Sequence, residues 1–157
     1  MIALLDNTVL SSFTCIRRPD LVKIAFGEEA ATSEMALKEL QTGIRIGRLP
    51  VADWSWLRII LLQEAEVPLY ELLLQTLNAG EASCLTIAIR HGYRVFTDDR
   101  DARRLAAARH VPISGTLGIL LRLVDLRIVQ LSEANGFLAQ MIAAGYRSPV
   151  PFLEPLL

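Results

Sequence analysis

The central part of the chain reads GEASCLTIAIRHGYRVFTDDRDARR over residues 80–104. Apolar residues at helical spacing predict a helix over Glu81–His91, with a helix-stopping glycine directly after it. A short run rich in β-branched and aromatic residues predicts a strand over Tyr93–Thr97, and the aspartates Asp98 and Asp99 follow it. In a parallel α/β sheet, acids that follow a strand lie at the edge where ligands bind. This segment therefore predicts both an α/β fold and an acidic site.

Strands and helices alternate on both sides of this segment. Ile2–Leu5 is a continuous apolar run that ends at Asp6, which is the pattern of a strand buried on both faces of a parallel sheet. Before the central segment, the sequence predicts a helix that carries Glu39 and runs from a cap at Thr32 or Ser33 to Gly43. The segment 51–62 contains either a strand or a buried helix. The next helix runs from Pro68 to about Leu77 and is followed by a break at Asn78–Gly80. After it, the sequence predicts a helix over Arg100–His110, a short apolar stretch at Val111–Ile113, and helices over Leu117–Val124, after a turn at Ser114–Thr116, and from a cap at Ser132 to Ala144. This alternation favours an α/β sandwich around a parallel sheet.

Length and composition limit the class of protein. The 157 residues are expected to form one domain over 1–157, and the 52% of hydrophobic residues favours a surface covered by a second subunit, so we expect a homodimer. No apolar run reaches the roughly 18 residues of a membrane helix, and the N-terminus does not resemble a signal peptide, so we expect a cytoplasmic protein. Two cysteines and two histidines are too few for a disulfide framework or a histidine-rich metal site. A net charge of −1 argues against broad electrostatic binding of nucleic acid and leaves room only for a local basic face.

Acidic residues stand at the ends of the predicted elements. Asp6, Asp98 and Asp99 follow predicted strands, and Glu81 begins a predicted helix, whose dipole should keep its carboxylate ionised without a raised pKa. Such a cluster repels itself unless a cation fills it. Carboxylates without histidine or cysteine are hard ligands suited to Mg²⁺ or Mn²⁺. Because Mg²⁺ is usually bound together with substrate phosphates, the sequence predicts a phosphodiester substrate.

Four parts of the chain carry a family resemblance. They are LLDNTVLSSF at 4–13, the helix with Glu39, the segment 77–124, and GYRSP at 145–149. The segment 77–124 is the strongest, because its Gly-Glu pair, its two aspartates followed by Ala-Arg, and its SGTLGILL turn occur in the family's order. On these motifs the chain resembles PIN-domain proteins, specifically VapC-like toxin nucleases and a related subgroup of nucleic-acid-binding PIN proteins. The resemblance implies a Rossmann-like three-layer sandwich, a homodimer, RNA cleavage with Mg²⁺ or Mn²⁺ held by three or four acids, and, for a toxin, an antitoxin partner.

The resemblance assigns the acids one by one. It puts the first acid on Asp6, the second on Glu39, the third on Glu81, and the fourth on Asp99 or Asp98. In this assignment Asp6, Glu81 and Asp99 hold the catalytic metal. Glu39 holds the same ion or a second one, and Asp98 supports the cluster. The ion would activate a water molecule for attack on phosphorus, and the side chains would act by positioning charge.

Two threonines and three further glutamates complete the candidate set. Thr8, two places after the first acid, and Thr97, at the end of the predicted strand, would orient carboxylates as second-layer contacts of the metal. The register of the helix with the second acid leaves Glu34, Glu28 and Glu29 as alternatives to it.

The remaining candidates concern RNA binding and the rival interpretation. Arg100, Arg103 and Arg104 share a helix face by their spacing and would contact RNA phosphates, or else form a solvated face with local ion pairs. Ser83 stands where the subgroup often has another acid. The rival interpretation is a non-catalytic PIN module that binds RNA or a protein partner and whose acids only cap helices.

Overall fold

A five-stranded parallel sheet runs through the centre of the molecule, and the computed structural model describes the whole chain. The strands are β1 Ala3–Leu5, β2 Ala30–Ser33, β3 Arg58–Ile60, β4 Arg94–Phe96 and β5 Ile113–Ser114. Their order across the sheet is β3-β2-β1-β4-β5, and every neighbouring pair is parallel. The chain adds strands on one side of β1 first and then crosses to the other side. The carboxyl ends of β1 and β4 therefore flank a topological switch point, where ligands bind in open α/β sheets.

Eight α-helices connect and cover the strands. They are α1 Asn7–Cys15, α2 Asp20–Phe26, α3 Glu34–Arg45, α4 Val67–Leu73, α5 Ala79–His91, α6 Arg100–Ala108, α7 Thr116–Asp125 and α8 Leu131–Ala143. None of them has both the length and the apolar character needed to span a membrane.

Two hydrophobic cores lie on opposite faces of the sheet. Leu4 of β1 packs in the core formed with α4, α5 and α6, whereas Ala3 and Leu5 pack in the core formed with α1, α2, α7 and α8. One strand serves both cores because successive side chains point to opposite faces. The prediction of a three-layer α/β sandwich with a parallel sheet is confirmed.

No helix or strand is predicted from the sequence for residues 7–31, which form α1, α2 and the first half of β2. The segment of α1, NTVLSSFTC, is rich in residues of modest helix propensity. Its Thr14 hydroxyl donates to the Leu10 carbonyl at 2.7 Å, and its Val9, Leu10 and Phe13 side chains are fully buried. Tertiary packing of one apolar face therefore stabilises a helix that local propensity does not favour.

Side-chain caps decide one predicted helix start between its two alternatives and move another. Thr32 lies in β2, and Ser33 caps α3 by accepting the Ala36 N–H at 3.1 Å. The predicted break at Asn78–Gly80 is correct for Asn78 only, because Asn78 caps α5 and accepts the Glu81 N–H at 2.9 Å. The helix thus begins two residues earlier than predicted, and Glu81 lies within its first turn.

Other boundaries also differ by a few residues, as is usual at helix ends. The segment 51–62 contains β3, so its strand interpretation is correct for three residues only. Three helices end at other residues than predicted: α3 at Arg45 rather than Gly43, α4 at Leu73 rather than Leu77, and α6 at Ala108 rather than His110. Two helices begin earlier than predicted. The first is α7, which begins at Thr116 rather than Leu117, and the second is α8, whose cap is Gln130 rather than Ser132.

The central position of β1 predicts a large penalty for truncating its side chain. Leu4→Ala should lower the free energy of unfolding by about 2–5 kcal/mol, because Leu4 is fully buried and the cavity cannot close around a sheet. Ile24→Ala is the matched control: Ile24 lies on α2 with half of its surface exposed, and its loss should cost under about 1 kcal/mol. Urea unfolding measures both, and equal penalties would contradict the central placement of β1.

Candidate metal centre

Asp6 lies at the junction of β1 and α1 and has no exposed surface. It is the N-cap of α1, where its Oδ1 accepts the Thr8 N–H at 3.0 Å and the Val9 N–H at 3.3 Å. The hydroxyl of Thr8 also donates to Oδ1, at 2.5 Å, and that of Thr97 donates to Oδ2, at 2.5 Å. One carboxylate therefore ties β1, α1 and the end of β4 together.

The two threonines connect Asp6 to the aspartate pair. The Thr8 hydroxyl accepts the backbone N–H of Asp98 at 2.9 Å, and the Thr97 hydroxyl accepts that of Asp99 at 3.1 Å. Each hydroxyl thus donates to Asp6 and accepts from the chain that follows β4. Thr8 is the residue to which the resemblance assigns the orientation of a carboxylate, and Thr97 makes the equivalent contact from the end of β4.

The pKa of Asp6 is raised from 3.8 to about 7. Burial is the largest cause, and the nearby charge of Asp98 contributes to the same shift. The hydrogen bonds from Thr8, Thr97 and the Val9 amide act in the opposite direction. They do not offset the desolvation, because a buried anion loses far more hydration than neutral donors restore.

Glu39 and Glu81 meet at the N-terminus of α5. The Gly80 N–H donates to Glu39 Oε1 at 2.6 Å, and a Cβ on Gly80 would lie only 2.8–3.0 Å from the Glu39 carboxyl group. The absence of a side chain at Gly80 therefore lets Glu39 approach α5 closely. Glu81 is held by Asn78, whose amide group donates to Glu81 Oε1 at 3.0 Å.

The expectation that Glu81 keeps an ordinary pKa is wrong. Burial raises the pKa of Glu81 from 4.5 to about 7, and the charges of Asp99, Asp6 and Glu39 raise it as well. The helix dipole favours the anion by only about 0.3–1 kcal/mol, which is small beside these effects. The charges of Asp99, Asp6 and Glu39 therefore all act on Glu81.

Among the four glutamates considered for the second acid, only Glu39 contacts α5. Glu34 forms an exposed ion pair with Lys38 at 3.1 Å, and Glu29 pairs with the amino group of Met1 at 3.2 Å. Glu28 is exposed in a short 3₁₀ turn. The structure thus brings Glu39 to the acidic cluster and leaves the three alternatives outside it.

The two aspartates after β4 differ in their contacts. Asp99 is the N-cap of α6, with Oδ2 accepting the Ala102 N–H at 2.8 Å and Oδ1 free of protein hydrogen bonds. Asp98 uses both oxygens on Thr116, whose N–H donates at 2.9 Å and whose hydroxyl donates as well. A Cβ on Gly115 would lie 2.3 Å from Asp98 Oδ1, so this contact requires glycine. Asp99 is consequently the better placed of the two for a ligand role.

The three arginines of α6 do not act as one face. Arg103 Nη1 donates to the Thr97 carbonyl at 2.9 Å, and Arg104 pairs with Asp101 at 3.0 Å. Arg100 is exposed and forms no ion pair. Of the three, only Arg100 has neither a side-chain hydrogen bond nor an ion pair within the protein.

The donor set fits a hard divalent cation, although no three acidic, histidine or cysteine side chains converge closely enough to hold one ion as they stand. Glu39 Oε2, Glu81 Oε2 and Asp99 Oδ1 each lack a protein hydrogen bond. Burial and the nearby Asp6 raise the pKa of Cys84 to about 12, so this thiol stays neutral. Oxygen ligands without thiolate or imidazole suit Mg²⁺ or Mn²⁺.

Several contacts of the site were not predicted from the sequence. Ser83, which replaces the extra acid of the subgroup, is fully buried and donates to the Ser33 hydroxyl at 2.7 Å, so it joins α5 to the start of α3. The capping role of Asn78 has a sequence signal, since asparagine three residues before a first-turn glutamate is a typical helix start. The bond from Thr116 to Asp98 spans 18 residues and has no local signal.

A family model, DUF3368, described as a PIN domain, matches residues 2–157. The chain is a PIN-domain protein. No curated protein matches the chain. PIN domains are generally nucleases that use divalent metals, and this PIN domain has the family's nuclease-like fold.

The raised pKa of Asp6 predicts a pH-dependent stability in metal-free buffer. The pKa of Asp6 is about 7 in the folded state and 3.8 in the unfolded state. Protonated Asp6 therefore contributes most to the free energy of unfolding below pH 4, and this contribution is lost as the pH rises through 7. Asp6→Asn cannot lose a proton, and its amide can hydrogen-bond to the Thr97 hydroxyl. Between pH 4 and 8, the free energy of unfolding of the variant should therefore rise relative to that of the unsubstituted PIN domain, by about 4 kcal/mol at most.

Urea unfolding with EDTA across this pH range measures the difference between the two proteins. Asp125→Asn, on an exposed carboxylate at the end of α7, is the control and should show no such gain. If the free energies of unfolding of Asp6→Asn and the unsubstituted protein differ by the same amount at every pH, the raised pKa of Asp6 is contradicted.

Proposed function

We propose that this PIN domain is an endoribonuclease that hydrolyses phosphodiester bonds of single-stranded RNA with Mg²⁺ or Mn²⁺. Asp6, Glu81 and Asp99 hold the catalytic ion in this proposal, and Glu39 holds the same ion or a second one. Asp98, Thr8 and Thr97 position the others through the hydrogen bonds described above.

The observation that supports this proposal is the absence of any cation beside the four acids. Glu39, Glu81, Asp99 and Asp6 form no ion pair, whereas other acids of the chain, such as Asp101, are paired with basic residues. Nearby carboxylates without a counter-ion repel each other, and this repulsion adds to burial in raising the pKa of Glu81 to about 7. A divalent cation relieves that repulsion, and no side chain of the protein does so.

The chain's own residues supply position and charge. When bound, the ion would lower the pKa of a water molecule and stabilise charge on the leaving oxygen. Glu39, Glu81 and Asp99 each offer the ion an oxygen that has no protein hydrogen bond, and Asp6 offers its buried carboxylate, which α1 and Thr97 hold in position. Neither histidine lies in the cluster: His91 pairs with Glu66 at 3.2 Å at the far end of α5, and His110 follows α6. We therefore assign no imidazole as a general base.

A non-catalytic PIN module is the second candidate. It is favoured by the capping roles of the acids, because Asp6 caps α1, Asp99 caps α6 and Glu39 accepts the Gly80 N–H of α5. In that case the acids would hold helix ends, and the domain would bind RNA or a protein partner without cleaving it.

Cleavage assays separate these two functions. Asp6→Asn and Glu81→Gln should each lower Mn²⁺-dependent cleavage of single-stranded RNA at least 100-fold, because each removes a charge from the ion's ligands. Glu34→Gln is the matched control, since it removes an exposed glutamate of α3 that lies outside the cluster, and it should retain activity. Calorimetric titration with Mn²⁺ provides the second measurement. Full cleavage by both site variants in EDTA, or no Mn²⁺ uptake with or without RNA, would exclude the metal-dependent nuclease.

We further propose that the protein is a homodimer that acts in the cytoplasm as the toxin of a toxin–antitoxin pair. The toxin and antitoxin roles rest on the resemblance to VapC-like proteins, and a small partner gene beside this one would support them. Support for the dimer comes from β3, an edge strand with Ile59 45% and the adjoining Leu61 61% exposed. Apolar side chains on an open sheet edge are typical of surfaces that pair with another chain.

The dimer proposal predicts a change of mass on charging this edge. Leu61→Glu should convert a dimer into a monomer in sedimentation equilibrium, because a buried charge would oppose association. Leu126→Glu, at an exposed leucine after α7, is the control and should leave the mass unchanged. A monomeric unsubstituted protein would contradict the homodimer, and a dimer unaffected by Leu61→Glu would place the interface elsewhere.

A further inference from the structure

A cavity of about 590 Å³ opens at the junction of β4 and α6, where Asp98 and Arg100, the two neighbours of Asp99 in the chain, line it. Its walls come from the start of α6, from α7, and from the segment that follows α8, and Asp98 forms part of its lining. A second cavity of about 300 Å³ lies between the start of α1 and the same C-terminal segment, and it is also lined by Asp98. Both cavities share Tyr146 and Arg147, so these two residues stand between them. The larger volume lies within the range of about 300–1,000 Å³ that is typical of small-ligand sites.

The charges around the larger cavity are unbalanced. Arg100, Arg103 and Arg147 line it, against the single carboxylate of Asp98. Asp98 uses both oxygens on Thr116, and Arg103 donates to the Thr97 carbonyl. Arg100 and Arg147 are exposed and belong to no ion pair. Two guanidinium groups are thus free for an anionic ligand, and guanidinium binds phosphate well because its donors match phosphate oxygens.

The remaining wall is apolar and includes an aromatic ring. Leu117 and Leu121 of α7 contribute aliphatic surface, and Leu156 adds to it from the C-terminal segment. Tyr146 is partly buried against the larger hydrophobic core, so its ring has a fixed position. A ligand that satisfies this cavity therefore combines a flat apolar part with a negative charge.

We propose that this cavity binds one nucleotide of the RNA substrate next to the scissile phosphate, with the base against Tyr146 and a flanking phosphate between Arg100 and Arg147. The inference rests on the proposed function for the identity of the substrate. Base stacking on an aromatic side chain together with phosphate contacts from arginine is how single strands are bound without regard to sequence. Because Asp98 and Arg100 line the cavity on either side of Asp99 in the chain, a nucleotide bound there would lie next to the segment that carries Asp99.

Binding in EDTA tests the cavity apart from catalysis. The probe is a ten-nucleotide single-stranded RNA with a fluorescent label, and anisotropy gives its affinity. The double variant Arg100→Gln with Arg147→Gln should bind at least tenfold more weakly and should reduce the slope of log affinity against log salt by about 0.7 per lost phosphate contact. Arg104→Gln is the matched control, because Arg104 lies on the same helix but pairs with Asp101, and it should bind within about twofold of the unsubstituted protein.

The tyrosine gives an independent readout. Tyr146→Leu should weaken binding about tenfold with an unchanged salt slope, and Tyr146→Phe should restore it, because phenylalanine keeps the stacking surface. Arg100 and Arg147 are exposed, so the arginine variant tests the cavity even if Tyr146→Leu fails to fold. Unchanged affinity in the arginine variant, equal loss in Arg104→Gln, or no RNA binding by the unsubstituted protein overturns the subsite.

Failure of the subsite and failure of the nuclease give different results. If the nuclease proposal alone is wrong, Mn²⁺ uptake and cleavage are absent, yet RNA binding still depends on Arg100, Arg147 and Tyr146. If the subsite alone is wrong, Asp6→Asn and Glu81→Gln abolish cleavage while the cavity variants bind RNA normally.

Discussion

The Asp6 carboxylate has no contact with solvent and yet lies among other acids, and the centre of the molecule is arranged around that burial. Its backbone N–H donates to the Phe96 carbonyl at 3.0 Å, which continues the pairing of β1 with β4 beyond the last strand residue. Its side chain caps α1 and accepts from Thr97. Because β1 is the middle strand of a parallel sheet, these contacts fix the carboxyl ends of β1 and β4 against each other. Every other acid of the site is then placed relative to this junction.

Helix ends explain how several acids are tolerated in one place. The N-termini of α1, α5, α6 and α7 all meet acidic side chains: Asp6, Glu39, Asp99 and Asp98 each accept a backbone N–H from one of these helices. The partial positive charge of a helix N-terminus stabilises a nearby anion by about 0.3–1 kcal/mol, and a hydrogen bond from its N–H adds to this. Capping and metal binding are therefore compatible roles. Glu39 and Asp99 each use one oxygen for a helix N–H and leave the other without a protein hydrogen bond.

The sequence was informative where local pattern and tertiary environment agree. The helix, strand and aspartates around Gly92 were predicted because apolar periodicity, a glycine stop and a buried strand all point to the same structure. The prediction was silent on α1, where packing of Phe13 outweighs the low helix propensity of the local segment. It was wrong about the pKa of Glu81, since burial and repulsion depend on Asp6 and Glu39, which are distant in sequence. The choice of Glu39 over Glu34 likewise required the contact with Gly80, 41 residues away.

The C-terminal segment that borders the acidic site is held in place by the core rather than left as a loose tail. After α8, Gly145 adopts φ +116°, a conformation that favours glycine, and the chain turns there to bring Tyr146 beside Asp98. Leu153 is fully buried, and its N–H donates to the Asn135 side chain of α8 at 2.7 Å. A wall fixed at both ends loses little conformational entropy when a ligand binds. The segment that carries Tyr146 and Arg147 is therefore packed on the same core as Leu5, the residue directly before Asp6.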